Sequence, residues 1–283
     1  MPWHTRNQSM DTHQQTVHEQ FDPQAAAYLS SAVHAQGPDL LEAQRLVAAA
    51  IPQTGTALDV GCGAGHLSFA LAPILSRVVA LDASAGMLET VRTAALARGI
   101  KTIETQLANA ESLPFANATF CVVASRYSAH HWTHLERALA EMRRVVRPGG
   151  HLLLGDTEAP EDALADTHLQ AMELLRDRSH VRNRSPGEWQ ALLSASGWEL
   201  LEHAHWPLRL DFASWVARMR TPAQNVAMIR QMQHDAPREV REALAIEQDG
   251  SFTVQTGLWW ARAASPVSPN SAGTAPHSDL SSA

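Results

Sequence analysis

Between about residues 38 and 156, short uninterrupted apolar runs alternate with amphipathic stretches, a pattern that predicts strand–helix units wound around a parallel sheet. The runs at 56–60, 77–82, 102–107, 119–125 and 151–156 carry segments such as VVAL, CVVA and HLLL without polar alternation. Strands of that kind are covered by helices on both faces. Met87, Leu88, Val91, Ala94 and Ala95 recur on one helical face behind a Ser84 cap. Leu135, Ala138, Leu139, Met142, Val145 and Val146 form another such face, closed by Pro148-Gly149-Gly150. Further on, Ser185-Pro186-Gly187-Glu188 has the spacing of a capping box with proline at the first helical position, followed by Trp189, Leu192 and Leu193 and ended by Gly197.

Segments 161–179 and 211–246 also read as helical but fall outside the alternation, and 251–261 reads as an antiparallel closing strand. One domain over 16–264 accommodates these elements, with a core at 38–156 and helical lid segments at 16–37, 161–184 and 211–246. Residues 1–15 are polar and patternless, and 265–283 are rich in Ser, Pro, Gly and Ala, so both ends are expected to be disordered tails.

The 45% hydrophobic and 18% charged content is ordinary for a globular α/β chain. A formal charge of −7 without a Lys/Arg block argues against a partner recognised through phosphates, so no nucleic acid is expected. No run approaches the roughly 20 apolar residues of a membrane helix, and the first residues lack a signal-peptide core. Cys62 and Cys121 show no disulfide or zinc spacing, in keeping with a reducing compartment. The expectation is a cytoplasmic protein with a small-molecule substrate; nothing in the sequence bears on its oligomeric state.

The chemistry concentrates at Asp59-Val-Gly61-Cys62-Gly63-Ala-Gly65, where a buried strand turns into an amphipathic helix. Glycines there let the backbone approach a ligand, and the crevice beyond a strand's carboxyl end is where doubly wound sheets bind nucleosides. A dinucleotide fingerprint wants a glycine three residues after Gly63, and the chain has His66 there. Asp82 ends the second strand, 21 residues after Gly61, where a carboxylate can accept from ribose hydroxyls or cap the helix opened at Ser84.

The G-x-G-x-G loop preceded by Asp59 resembles motif I of class I S-adenosylmethionine-dependent methyltransferases. With LDVGCGAGHLSFALA, VVALDAS, ANAESLPF, SRYSAHHW and RRVVRPGGHLLL, the chain resembles the UbiE/YcgJ/YafE-like branch, the methyltransferase type 11 group, over about residues 56 to 156. Similarity extends to FDPQAAAYLSSAVHAQGPDL before this region and LLRDRSHVRNRSPGEWQALLSASGW after it. The resemblance implies a Rossmann-like α/β fold, with a mostly parallel seven-stranded sheet, helices on both faces and a helical lid. It implies S-adenosylmethionine held by Asp59, Gly61, Cys62, Gly63, Gly65, Asp82, Ala83, Met87, Asn109, Ala110, Glu111 and Ser125. Met87 would lie over the adenine or simply pack in the core. Asn109 stands where relatives carry an acid, and its amide oxygen can still accept from the adenine amino group.

The acceptor is expected past the fourth strand, at Ser125 to Trp132. His130 and His131 are candidate bases, since imidazole titrates near neutrality, or one of them caps the next helix. Arg126, His130, Tyr28 and His34 are candidates for touching the substrate; Tyr28 and His34 share a helical face, and ordinary lid packing is the alternative for them. His130, His131 and His134 lack an acidic or cysteine partner at ligand spacing, so no metal is expected. No Asn-Pro-Pro-Tyr element follows the fourth strand, which speaks against nucleic-acid or glutamine amino methylation. Arg176, Arg178, His180, Arg182 and Arg184 either clamp an acidic substrate or pair with neighbouring carboxylates. Methyl transfer from S-adenosylmethionine to an O, N or C nucleophile is the expected activity. A cofactor-binding sensor or scaffold, or a nicotinamide-dependent oxidoreductase, is the alternative.

Overall fold

The computed structural model describes residues 12–21 and 37–264. Tyr28, His34, most of the amino-terminal tail and the carboxyl-terminal tail lie outside the described residues. The sheet runs β3-β2-β1-β4-β5-β7-β6. Its first five strands are parallel: β1 (Thr56–Val60), β2 (Arg77–Asp82), β3 (Ile103–Leu107), β4 (Phe120–Arg126) and β5 (Val146–Glu158). The last strand in the chain, β7 (Phe252–Ala263), is antiparallel both to β5 and to the edge strand β6 (Trp198–Leu210). This is a Rossmann-like, mostly parallel seven-stranded sheet closed by an antiparallel pair.

Helices cover both faces, as the uniformly apolar strands require. On one side lie α2 (Pro38–Ala50) and α3 (His66–Leu71), which bury Leu40, Leu46, Val47, Leu67 and Leu71 against Val78, Val122 and Leu153. Beside them α4 (Ala85–Ala97) sends Leu88 and Val91 onto Ala80. On the other side α5 (Leu135–Val145) and α7 (Pro186–Ala195) bury Leu139, Met142, Trp189 and Leu193 against Leu58, Val123, Leu152 and Trp259. The capping box at Ser185 and Glu188 forms as its spacing predicts.

A separate apolar cluster gathers α6 (Ala163–Arg176), α8 (Phe212–Arg218), α9 (Ala223–Asp235) and α10 (Arg238–Ala243) around Leu210, Phe252 and Val254 of the β6–β7 pair. These helices fall within the segments 161–184 and 211–246, and they pack against the β6–β7 pair. The amino-terminal helix α1 (His13–Phe21) begins inside the stretch read as a patternless tail. Its mean hydropathy is slightly polar, and its Phe21 packs against Ala64 and Met87, distant in the chain.

Candidate active site

The parallel pairing of β1 and β2 brings the ends of both strands to one rim, where the glycine loop leaves β1. Gly61, Gly63 and Gly65 all have positive φ (68°, 51° and 88°), which side-chain-bearing residues rarely adopt. The amides of Gly61 and Cys62 donate to the Leu81 carbonyl, at 2.8 and 2.9 Å. The Gly63 amide donates to Asp82 Oδ2 at 2.8 Å, while Asp82 Oδ1 accepts from the Ser84 amide at 2.8 Å. Ser84 then caps α4 by accepting from Met87. Asp82 therefore bridges the loop to the second strand, a role beyond the capping read from the sequence.

Asp59 is buried at the end of β1, where Oδ2 accepts from the Ser68 hydroxyl at 2.6 Å. Its Oδ1 has no hydrogen-bond partner. Burial raises its pKa to about 7, partly opposed by the Ser68 hydrogen bonds and added to by the charge of Asp82. A buried carboxylate oxygen in the wall of a cleft is a seat for a cationic or donating group.

That cleft has about 1170 Å³ of space, open solvent at its mouth included. One end, where the resemblance would put the nucleoside, is walled by Asp59, Gly61, Cys62, Gly63, Asp82, Ala83, Met87, Asn109, Ala110 and Glu111. Gly65 and Ser125, expected at the cofactor, do not line it. Gly65 opens α3 and faces Val91 and Phe69, and Ser125 is buried within β4. The other end is walled by Val17 and Phe21 of α1 with Tyr127, Ser128, His131, Trp132 and Thr133. Ser128 and Trp132 lie within the Ser125–Trp132 segment where the acceptor was expected, although neither was singled out there; Phe21 is a wall residue that the sequence did not single out.

After β4 the backbone turns sharply, with Tyr127 at φ 52°, a strained conformation for a bulky residue. Its hydroxyl meets Thr256 Oγ1 at 3.0 Å, and its amide donates to the Gly155 carbonyl at 2.8 Å. Arg126 reaches the cleft wall but is ion-paired with the buried Asp39 of α2.

The two histidines of the following turn differ. His130 does not line the cleft; its Nδ1 lies 2.5 Å from Asp156 Oδ1, and its amide donates to Asp156 Oδ2 at 3.1 Å. Burial works against its charge, yet the charge and hydrogen bond of Asp156 raise its pKa above the ordinary histidine value. His131 lines the cleft, and its Nδ1 lies 3.0 Å from the Ser179 carbonyl. Burial first, and the charge of His130 second, hold it below the ordinary value.

The Arg/His-rich loop is consumed internally. Arg176 pairs with Glu173 at 3.1 Å, Arg182 with Asp166 at 2.8 Å, Arg184 with Glu188 at 3.6 Å and Arg178 with Glu19 of α1. His180 Nε2 bonds Gln170 at 2.8 Å. Of the two sequence alternatives, neighbouring carboxylates are the partners.

Comparison with known proteins bears directly on this geometry. Residues 58–154 match the family described as Methyltransferase domain. The chain is 46% identical over 193 residues to the uncharacterized protein YafE of Escherichia coli (strain K12), spanning 68% of this chain and 93% of that protein. It is 34% identical over 226 residues to the uncharacterized methyltransferase YcgJ of Bacillus subtilis (strain 168), spanning 80% of this chain and 88% of that protein. The crystal structure of YcgJ superposes with a TM-score of 0.75 at 32% identity, over 80% of this chain and 100% of that one. That of a putative methyltransferase from Bacillus halodurans C-125 gives 0.77 at 30% identity, over 81% of this chain and 100% of that one.

The chain belongs to the class I S-adenosylmethionine-dependent methyltransferases. Within that class it groups with the YafE and YcgJ relatives, and its cofactor is S-adenosylmethionine rather than a nicotinamide. The cleft fits that cofactor on its own terms. Asp59 Oδ1 awaits a donor, and Gly63 presents its bare α-carbon where a Cβ would meet no protein atom within 4 Å.

The two glycines make a discriminating pair. A Cβ on Gly61 would lie 1.9 Å from Ser128 Oγ, whereas one on Gly63, a residue of the cleft wall, would stand in open space. Gly63→Ala is expected to fold with a loss of about 1–2 kcal/mol from its left-handed backbone, and to bind S-adenosylhomocysteine poorly. Gly61→Ala should lose more stability, because the Ser128 turn must move as well. Thermal melts and calorimetry check both; tight binding by Gly63→Ala would show that the loop does not face the cofactor.

Proposed function

We propose that this protein transfers the methyl group of S-adenosylmethionine to an oxygen, nitrogen or carbon nucleophile of a small molecule. The observation that carries this reading is one continuous cleft in which the glycine loop and unpartnered Asp59 oxygen adjoin a chamber walled by Phe21, His131 and Trp132. When bound, the cofactor supplies an electrophilic methyl on a sulfonium centre. The chain supplies binding, alignment and proton handling.

Asp59 would hold the methionine ammonium through Oδ1, and the Asp82 carboxylate would accept from the ribose hydroxyls. Asn109, Ala110 and Glu111 would meet the adenine edge, with Met87 beneath. For the acceptor, His131 is favoured over His130. The Ser179 carbonyl can only accept, so His131 Nδ1 carries the hydrogen and Nε2 keeps its lone pair. His130, held towards the imidazolium by Asp156, is the poorer proton acceptor and positions the turn. A base of lowered pKa suffices for alkylation, because an oxygen or nitrogen becomes far more acidic as its new carbon bond forms. Residence in the cytoplasm belongs to this reading; it is supported by two free cysteines and by the absence, among the described residues, of a helix long and apolar enough to cross a membrane. The internally paired arginines support a partner without a run of phosphates.

Two measurements test these roles. A cation beside Asp59 stabilises its carboxylate, so binding should release protons near pH 7 and cofactor affinity should rise from about pH 6 to 8. Below that window Asp59 is protonated and its attraction for the ammonium is lost. Asp59→Asn should flatten the dependence and weaken binding by about 10- to 100-fold. Calorimetry in buffers of different ionisation enthalpy reads the proton count, and a pH-independent affinity in the parent would remove Asp59 from the site.

Formation of S-adenosylhomocysteine with a panel of small acceptors reads transfer itself; no turnover with any acceptor would favour a cofactor-binding sensor. With an active acceptor, His131→Ala should lower kcat by about 100-fold or more and leave the KM for S-adenosylmethionine near its original value. An unimpaired His131→Ala beside a slow His130→Ala would reverse the assignment.

A further inference from the structure

The sheet face that carries Asp156, the partner of His130, holds a second group of polar side chains, which the methyl-transfer reading does not use. Leu154, Trp259 and His203 pair side by side across β5, β7 and β6, and so do Asp156, Gly257 and His205. Paired residues share a sheet face, as do residues two apart, so Glu158, His203 and His205 all project to the same side.

Gly257 is what brings them together. A Cβ at Gly257 would lie 2.0 Å from Glu158 Oε1, so the carboxylate occupies the space that a side chain on the intervening strand would fill. From there Glu158, only 4% exposed, reaches across β7 to His203 Nε2 at 2.6 Å. His203 is stacked on the buried Trp259, with ring centroids 3.6 Å apart and planes inclined by 12°, which fixes the direction of its nitrogen. His205 stands at the exposed rim of the group. One ligand atom from each of the three residues lies within 4.8 Å of the other two.

We propose that Glu158, His203 and His205 form a binding site for a divalent transition-metal ion of the zinc(II) type. Two imidazoles and one carboxylate are donors that suit zinc, cobalt or nickel; calcium and magnesium prefer shells of oxygen. Bond lengths of 2.0–2.2 Å around a tetrahedral ion set ligand atoms roughly 3.3 Å apart. The one short contact, 2.6 Å between His203 and Glu158, and the confinement of all three ligand atoms within 4.8 Å leave only small side-chain rotations to close the shell. Binding replaces the His203 Nε2 hydrogen by the metal and releases that proton to solvent, leaving a fourth position for water. The ion would fasten edge strand β6 to β5 across β7.

The test uses the untagged full-length chain, titrated with zinc(II) by calorimetry and with cobalt(II) by visible absorption. One ion per chain should bind, with the tetrahedral cobalt spectrum, and zinc should raise the melting temperature. His203→Ala and the exposed, fold-neutral His205→Ala should each weaken binding by about 100-fold and abolish the thermal shift, and Glu158→Gln should act in the same direction. His234→Ala, at an exposed histidine elsewhere, should bind as the parent does. Failure of the parent to bind zinc would overturn the proposal, as would binding that survives both His203→Ala and His205→Ala.

Discussion

The bond from the Gly63 amide to the Asp82 carboxylate sets the geometry on which the site depends. Parallel pairing of β1 and β2 leaves the glycine loop and Asp82 at one rim, but pairing alone would leave a flexible loop of left-handed residues. The Leu81 carbonyl takes the Gly61 and Cys62 amides, and Asp82 takes the next donor in line. The loop is thereby held by bonds within the protein, which reduces the entropy a ligand must overcome on binding. The same carboxylate orders the Ser84 turn that starts α4, so one side chain aligns the loop, the second strand and the helix beneath the nucleoside end.

The end of the cleft walled by His131 and Trp132 depends on contacts between segments far apart in the chain. Val181 and Arg182 amides both donate to the His130 carbonyl, at 2.8 and 3.1 Å, and Ser179 fixes the ring of His131. Helix α1 is tied down by His13 Nε2 to the His131 carbonyl at 3.0 Å, by Gln20 to the Met219 carbonyl at 3.0 Å and by Arg178 to Glu19. Its Phe21 ring meets His131 edge-on, with centroids 5.0 Å apart. The cationic loop thus joins helix α1 to the turn that carries His130 and His131.

What the sequence revealed follows from where the information is local. Strands β1 and β2 have the bounds their apolar runs predict, and the Ser185 box is visible in four consecutive residues. The glycine loop was legible because its glycines, their strand and their helix are contiguous. Strand β6 escaped notice, since an edge strand with one exposed rim alternates polar and apolar residues weakly, as in WELLEHAHWPLRL. The difference between His130 and His131 is equally invisible in sequence: it comes from Asp156 on β5 and Ser179 after α6. The histidines weighed for metal binding were neighbours in sequence. Glu158, His203 and His205 become neighbours only through antiparallel pairing across Gly257.

The most direct test of the central assignment is amide hydrogen exchange on the full chain with and without saturating S-adenosylhomocysteine. Protection should appear together at residues 59–66, 82–87 and 109–111, the three segments that wall the nucleoside end of the cleft. Ligand-induced protection confined to other segments, with these three unchanged, would contradict it.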